Sequence, residues 1–79
     1  MITLYVKNRP WSGDPRCDFL RVVSRNPPVV RGFRIERGRL LDEPAPDGYL
    51  VRYGGWYHPA TAWEIEEYRR LLGGEQKRG

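Results

Sequence analysis

The sequence predicts an α+β fold, in which a small antiparallel β-sheet or partly open barrel of about five strands is closed by one C-terminal α-helix. Proline and glycine recur at short intervals, several short segments alternate apolar and polar residues, and one helix-start signal precedes the last apolar segment. A chain of 79 residues can build only one core. We therefore expect a single domain over residues 1–74 and a disordered tail at 75–79.

The first half of the chain predicts four strands. Residues 2–7 alternate as a half-buried strand, residues 8–16 form a loop, and residues 17–24 form a second strand that ends at the prolines after Asn26. From Val29 onward, the alternation places Phe33 and Ile35 on one face of a third strand. Arg37 and Gly38 then form a two-residue turn into a fourth strand at residues 39–42.

The second half predicts a further hairpin and the helix. Residues 49–53 alternate as a strand, Gly54 and Gly55 supply the positive backbone angles of a tight turn, and residues 56–58 return. Thr61 and Glu64 form a capping box, and Gly73 is placed to end the helix as a left-handed cap. The side chains expected to pack on the sheet are Ile65, Tyr68, Leu71 and Leu72.

The composition argues against several function classes. Cys17 is the only cysteine and His58 the only histidine, so the sequence predicts no disulfide, no metal site and no cofactor. No apolar run reaches the roughly 18 residues of a membrane span, and the start has no secretory signal, so we expect a cytoplasmic protein that does not bind membranes.

Two catalytic arrangements remain conceivable, although we expect no enzyme. Cys17 and His58 could form a nucleophile–base dyad if the fold brought them together. Arg52, Tyr57 and His58 are close in sequence and could serve a small endoribonuclease. Both arrangements require a shared cleft, which the sequence does not predict.

The charge distribution favours an anionic partner. Residues 1–41 carry nine basic and three acidic residues, a net charge of +6, whereas residues 42–79 carry five basic and seven acidic residues, a net charge of −2. Such asymmetry steers an acidic protein surface or a phosphate backbone toward the basic half. Twelve of the fourteen basic residues are arginine, which suits bidentate contacts, but a GC-rich genome would produce the same bias.

Two tryptophans and three arginines are the predicted binding residues. On a helical wheel Trp63 lies opposite the apolar face, so it either faces solvent as an interface residue or folds back on the preceding segment. Trp11 lies in a proline-flanked loop and raises the same question. The predicted surface consists of Trp11, Arg31, Arg34, Arg39 and Trp63.

Direct binding of nucleic acid is the main alternative. Arginines interleaved with aromatic residues on strands can follow a phosphate backbone while bases stack on the rings. The residues in question are Tyr5, Trp11, Arg21, Arg31, Arg34 and Arg39. Outward arginines on a sheet are also ordinary solvated residues that protect its edges, so the two interpretations stay open.

Residues 47–68 carry a pattern of turn, aromatic and helix residues: Asp47, Gly48, Tyr49, Gly55, Tyr57, Pro59, Ile65 and Tyr68. In this layout the segment resembles the closing segment of short phage and prophage proteins of unknown function. The cysteine and second proline often seen there are replaced by Ala60 and Thr61. The resemblance implies a mobile-element accessory protein and supplies no functional residues. We therefore expect a non-catalytic regulator that inhibits or redirects a larger host protein or nucleoprotein complex.

Overall fold

The computed structural model describes residues 2–8, 15–26 and 28–77, and confirms the predicted α+β class. Its strands form one open antiparallel sheet in the order β4-β3-β2-β1-β5, with a helix on each face. The elements are β1 (Leu4–Lys7), β2 (Phe19–Arg25), β3 (Pro28–Glu36), β4 (Arg39–Glu43), α1 (Tyr49–Tyr53), a 3-10 turn (Gly54–Trp56), β5 (Tyr57–Pro59) and α2 (Ala62–Lys77).

The alternation of side chains along the strands creates two small cores, one on each face of the sheet. On the face covered by α2, hereafter the α2 face, the buried residues are Leu4, Val6, Phe19, Phe33 and Tyr68. On the face covered by α1, hereafter the α1 face, they are Cys17, Leu20, Tyr49 and Tyr57. Each strand residue therefore belongs to one face, and its cross-strand partner belongs to the same face.

The predicted turn between β3 and β4 is confirmed. Arg37 and Gly38 have φ angles of 55° and 76°, the left-handed values that a two-residue hairpin turn needs at both positions. Glu36 and Arg39 face each other directly across this turn. The turn thus fixes the register of the whole β3–β4 pair.

The predicted capping box is also confirmed. The Thr61 amide donates to the Glu64 carboxylate at 2.9 Å, and the Glu64 amide donates to the Thr61 hydroxyl at 3.3 Å. The predicted helix end at Gly73 is wrong, because Gly73 lacks the positive φ of a left-handed cap and α2 continues to Lys77. Of the predicted tail, residues 75–77 are helical and residues 78–79 lie outside the described ranges.

The predicted strand at residues 49–53 is wrong, because this segment is the short helix α1. A helix places Tyr49 and Tyr53 on one side, four residues apart, and their ring centroids lie 4.7 Å apart. Gly54 has φ of −57°, and the positive φ that starts the helix belongs to Gly48 instead. The aromatic segment therefore reaches β5 through helical turns rather than through a hairpin.

Tyr68 packs between two phenylalanines of the sheet, and its hydroxyl is buried without a hydrogen-bond partner among the described residues. Leaving such a group unpaired costs about 1 to 3 kcal/mol. We expect Tyr68→Phe to raise the free energy of unfolding by about 1 kcal/mol, since the ring contacts remain. Urea unfolding at pH 7 measures this, and a loss of stability would show that the hydroxyl has a partner in solution.

Candidate binding surface

The predicted arginines lie on two different faces of the sheet. Arg31 alternates with Phe33 and belongs to the α2 face, whereas Arg34 lies one position out of phase and belongs to the α1 face. Arg39 is paired with Glu36 and shares the α1 face with Arg34. These three residues therefore do not form one surface. Trp11 lies outside the described residues.

Arg34 is held by two carboxylates. Its Nε donates to Glu43 Oε1 at 2.9 Å, and its Nη1 pairs with Glu36. The hydrogen bonds that Arg34 donates to Glu36 and Glu43 raise its pKa. Because the guanidinium already has two anionic partners, an incoming anion has to compete with both.

Arg31 is exposed but also has partners. Its Nη2 lies 3.1 and 3.4 Å from the two carboxylate oxygens of Asp42, and its guanidinium carbon lies 5.2 Å from the centre of the Phe33 ring. Because the ion pair is exposed to solvent, it is worth little, and a partner carboxylate or phosphate can replace Asp42 at small cost.

Arg21, which is not among the predicted binding residues, lies beside Arg31 in the structure. The sheet register places Arg21 directly opposite Arg31, so the two side chains are neighbours on the α2 face. Arg21 has no ion pair among the described residues, and residues 19–35 contain four arginines and no acidic residue. Two like charges in direct cross-strand contact destabilise a sheet. We call Arg21 and Arg31 the arginine pair.

Trp63 lies on the same face as the arginine pair. It stands in the first turn of α2 and is 65% exposed, so most of its side chain faces solvent. The helix begins beside the same end of the sheet, because the Ala60 amide donates to the Leu4 carbonyl and Leu4 pairs with Arg21. The start of α2, which carries the exposed ring, thus lies on the same side of the sheet as the two cations, with β1 between it and Arg21.

A buried network on the α1 face uses the only cysteine. The Tyr57 hydroxyl donates to the Cys17 carbonyl at 2.6 Å and lies 3.3 Å from the Tyr49 hydroxyl, which accepts from the Cys17 amide at 3.4 Å. Burial raises the pKa of Cys17 and raises that of Tyr49 to about 12. Burial likewise raises the pKa of Tyr57. These groups stay neutral at pH 7 and tie α1 to the sheet.

His58 belongs to the opposite face and bridges two elements. Its Nδ1 lies 2.7 Å from Asn8 Oδ1, and its Nε2 lies 3.1 Å from both carboxylate oxygens of Glu64. Burial acts to raise the pKa of Glu64, but hydrogen bonds from the Thr61 amide and from His58 outweigh it and lower that pKa. The histidine joins the end of β1 to the start of α2.

The two catalytic arrangements considered above do not assemble. Cys17 lies on the α1 face and His58 on the α2 face, with the sheet between them. Tyr57 is buried beside Cys17 and so points away from its neighbour His58. Arg52 lies on the exposed side of α1, 5.6 Å from the centre of the Tyr53 ring.

The described ranges contain no cluster of three or more histidine, cysteine or acidic side chains arranged to hold a metal ion. Among the described residues, neither helix is both long and apolar enough to cross a membrane.

Comparisons with protein-family models, curated proteins and solved structures find no match to this chain. The resemblance of residues 47–68 to phage proteins therefore stays a prediction.

Proposed function

We propose that this chain is a non-catalytic regulatory protein, encoded by a phage or mobile element and acting in the cytoplasm. It inhibits or redirects a larger host protein or nucleoprotein complex by docking on its surface. The arginine pair is the observation that carries this proposal, because Arg21 has no ion pair among the described residues and Arg31 has only the exposed ion pair with Asp42, so a partner carboxylate can relieve the repulsion between the two cations.

The residues around the arginine pair support a protein partner. Trp63 offers the large, exposed aromatic side chain that recurs in the energetically dominant part of interfaces. Arginine has the same property, and its planar fork can bind a carboxylate through two hydrogen bonds. The proposed contact surface therefore consists of Arg21, Arg31 and Trp63, and it leaves out Arg34 and Arg39, which lie on the opposite face of the sheet.

Charge reversal of the arginine pair tests this proposal. We expect the double variant Arg21→Glu and Arg31→Glu to lose the partner that the wild-type protein captures in host cells, because two attractive contacts become repulsive. Trp63→Ala should weaken the same complex by about tenfold or more, as truncation of a central aromatic residue does. Affinity capture with quantitative mass spectrometry, followed by titration of the purified partner, measures both effects.

The matched control changes the net charge equally at a different place. Arg69 and Arg70 are exposed on α2 and have no ion pair among the described residues. Arg69→Glu with Arg70→Glu should keep the partner. Undiminished capture by the Arg21→Glu, Arg31→Glu variant would refute the proposal.

Direct nucleic-acid binding is the second candidate, and the same arginine pair favours it. Arg21 has no ion pair among the described residues, and the exposed Asp42 that pairs with Arg31 can be displaced at small cost, so a phosphate group can approach the pair. Affinity for a single-stranded oligonucleotide should then fall steeply between about 50 and 200 mM salt as counterions are released. Fluorescence anisotropy decides the point, and no binding at the lower salt concentration excludes this candidate.

A further inference from the structure

One half of β3 lacks a neighbour on the side of β4. The β3–β4 ladder begins at the turn with Glu36 opposite Arg39 and ends with Gly32 opposite Glu43. A two-residue turn makes its flanking residues a hydrogen-bonded pair, so Glu36, Arg34 and Gly32 direct their backbone groups toward β4. By the same alternation, the N–H and C=O of Val30 point to that side, where the described residues place no strand.

The chain leaves this edge because it crosses onto the α1 face at Gly32. A Cβ atom at Gly32 would lie 2.5 Å from Cys17 Sγ and 2.7 Å from the Glu43 carbonyl oxygen, so only glycine lets the segment after β4 pass. Since that segment continues over the face of the sheet rather than along its edge, the position beside Val30 stays open.

An apolar groove of about 280 Å³ lies beside this open edge. Val29 and Val30 form its wall on β3, and α1 forms the other wall with Val51, which is 84% exposed. We call it the valine groove; its apolar lining residues are Val29, Val30, Ala45, Pro46, Leu50 and Val51. A groove of this kind next to unpaired strand groups has the features of a site for an extended peptide.

We infer that an extended segment of the partner protein adds to the open edge of β3 as a short strand; this inference rests on the proposed function. Backbone bonds to Val30 hold the segment, and its apolar side chains enter the valine groove. Arg31 lies on this edge and faces the other side of the sheet, where its ion pair with Asp42 is exposed to solvent. Because an acidic residue of the partner can replace Asp42 there, charge complementarity favours acidic residues at the alternate positions of the segment.

The test uses a random library of peptides of about eight residues, displayed on filamentous phage and selected against the full-length protein. We expect the enriched peptides to alternate apolar and acidic residues. Binding of the best synthetic peptide should slow hydrogen exchange at the Val30 amide. The absence of enriched peptides, or protection of a different part of the chain, would overturn the inference.

Two variants locate the binding site. Val30→Pro removes the outward N–H, and Val51→Glu adds a carboxylate to the groove at an exposed position that does not support the fold. Each should weaken the best peptide by about tenfold, which corresponds to about 1.4 kcal/mol. Leu72→Glu adds the same charge to an exposed position of α2 and should leave the affinity unchanged. An unchanged affinity in both groove variants contradicts the inference.

The captured partner separates this inference from the function on which it rests. If charge reversal of the arginine pair abolishes capture while Val30→Pro and Val51→Glu preserve it, docking on the arginine pair stands and the added strand is wrong. If neither set of variants affects capture, both proposals are wrong.

Discussion

Replacing Gly32 with alanine is expected to lower the free energy of unfolding by about 3 kcal/mol, the upper part of the range for overfilling a packed core. The new methyl group would meet Cys17 Sγ at 2.5 Å, the Glu43 carbonyl at 2.7 Å and Ala45 Cβ at 3.2 Å. The first is a buried side chain and the second a backbone atom, so neither moves easily. Urea unfolding followed by tryptophan fluorescence measures the loss.

Gly73 provides the matched control. It lies inside α2, and an added methyl group there would meet nothing within 4 Å. Gly73→Ala should therefore raise the free energy of unfolding by about 0.5 to 1 kcal/mol, through helix propensity alone. Equal stability of the Gly32→Ala and wild-type proteins would show that Cys17 and the segment after β4 lie farther from Gly32 than the structure places them.

The elements that the sequence predicts correctly are those with strong local signals. A two-residue hairpin turn needs left-handed backbone angles at both of its positions. The sequence places Gly38, which adopts such angles readily, at the second position after Arg37. Thr61 and Glu64 bond reciprocally over three residues, which requires no distant partner. The apolar alternation of β1 likewise matches its burial, with Leu4 and Val6 in the core.

The segment at residues 49–53 shows why local patterns also fail. Five residues are too few to separate a period of two from a period of 3.6, and tyrosine and valine both favour strands. The deciding contacts are distant in sequence, since Tyr49 reaches the backbone of Cys17 and packs beside Tyr57. Only a helix lets this ring enter the core while Val51 points to solvent.

The candidate site depends on the register of β2 and β3, which the sequence leaves undetermined. A bulge between Val22 and Ser24 shifts the pairing of β2 with β3 by one residue. Extending the register of Arg25 opposite Pro28 along the two strands therefore gives the wrong partner for Arg21. Composition draws attention to the arginines but does not separate Arg34, which two carboxylates hold, from Arg21. The absence of acidic residues from 19 to 35 is the available signal, and it points to the arginine pair.

The valine groove exists because residues 49–53 form the helix α1 rather than a strand of a hairpin. A strand at residues 49–53 would extend the sheet, whereas α1 lies over one face and leaves the edge of β3 open. Gly32 is required for the same reason, because the connection between β4 and α1 passes over it. One glycine therefore links the stability of the α1 face to the surface proposed to bind a partner.

Replacing Tyr57 with phenylalanine is expected to lower the free energy of unfolding by about 2 kcal/mol at pH 7. The variant removes the donor to the Cys17 carbonyl, a bond of 2.6 Å, and leaves a buried acceptor unpaired. It also removes the neighbour of the Tyr49 hydroxyl, 3.3 Å away. Tyr53→Phe deletes the same atom from a residue of α1 outside this network and should cost much less.

The pH dependence of stability provides a second measurement on the same variant. The folded state raises the pKa of Cys17 from 9.0 and that of Tyr49 from 10.0 to about 12, and it also raises that of Tyr57. Between pH 9 and 12 the unfolded chain therefore releases protons that the folded protein keeps, so stability present below pH 9 is lost as pH rises. The urea midpoint of the wild-type protein should fall across this window, and Tyr57→Phe should reduce the slope because one raised group is gone. A slope equal to that of the wild type would mean that the Tyr57 hydroxyl is not buried as the structure shows.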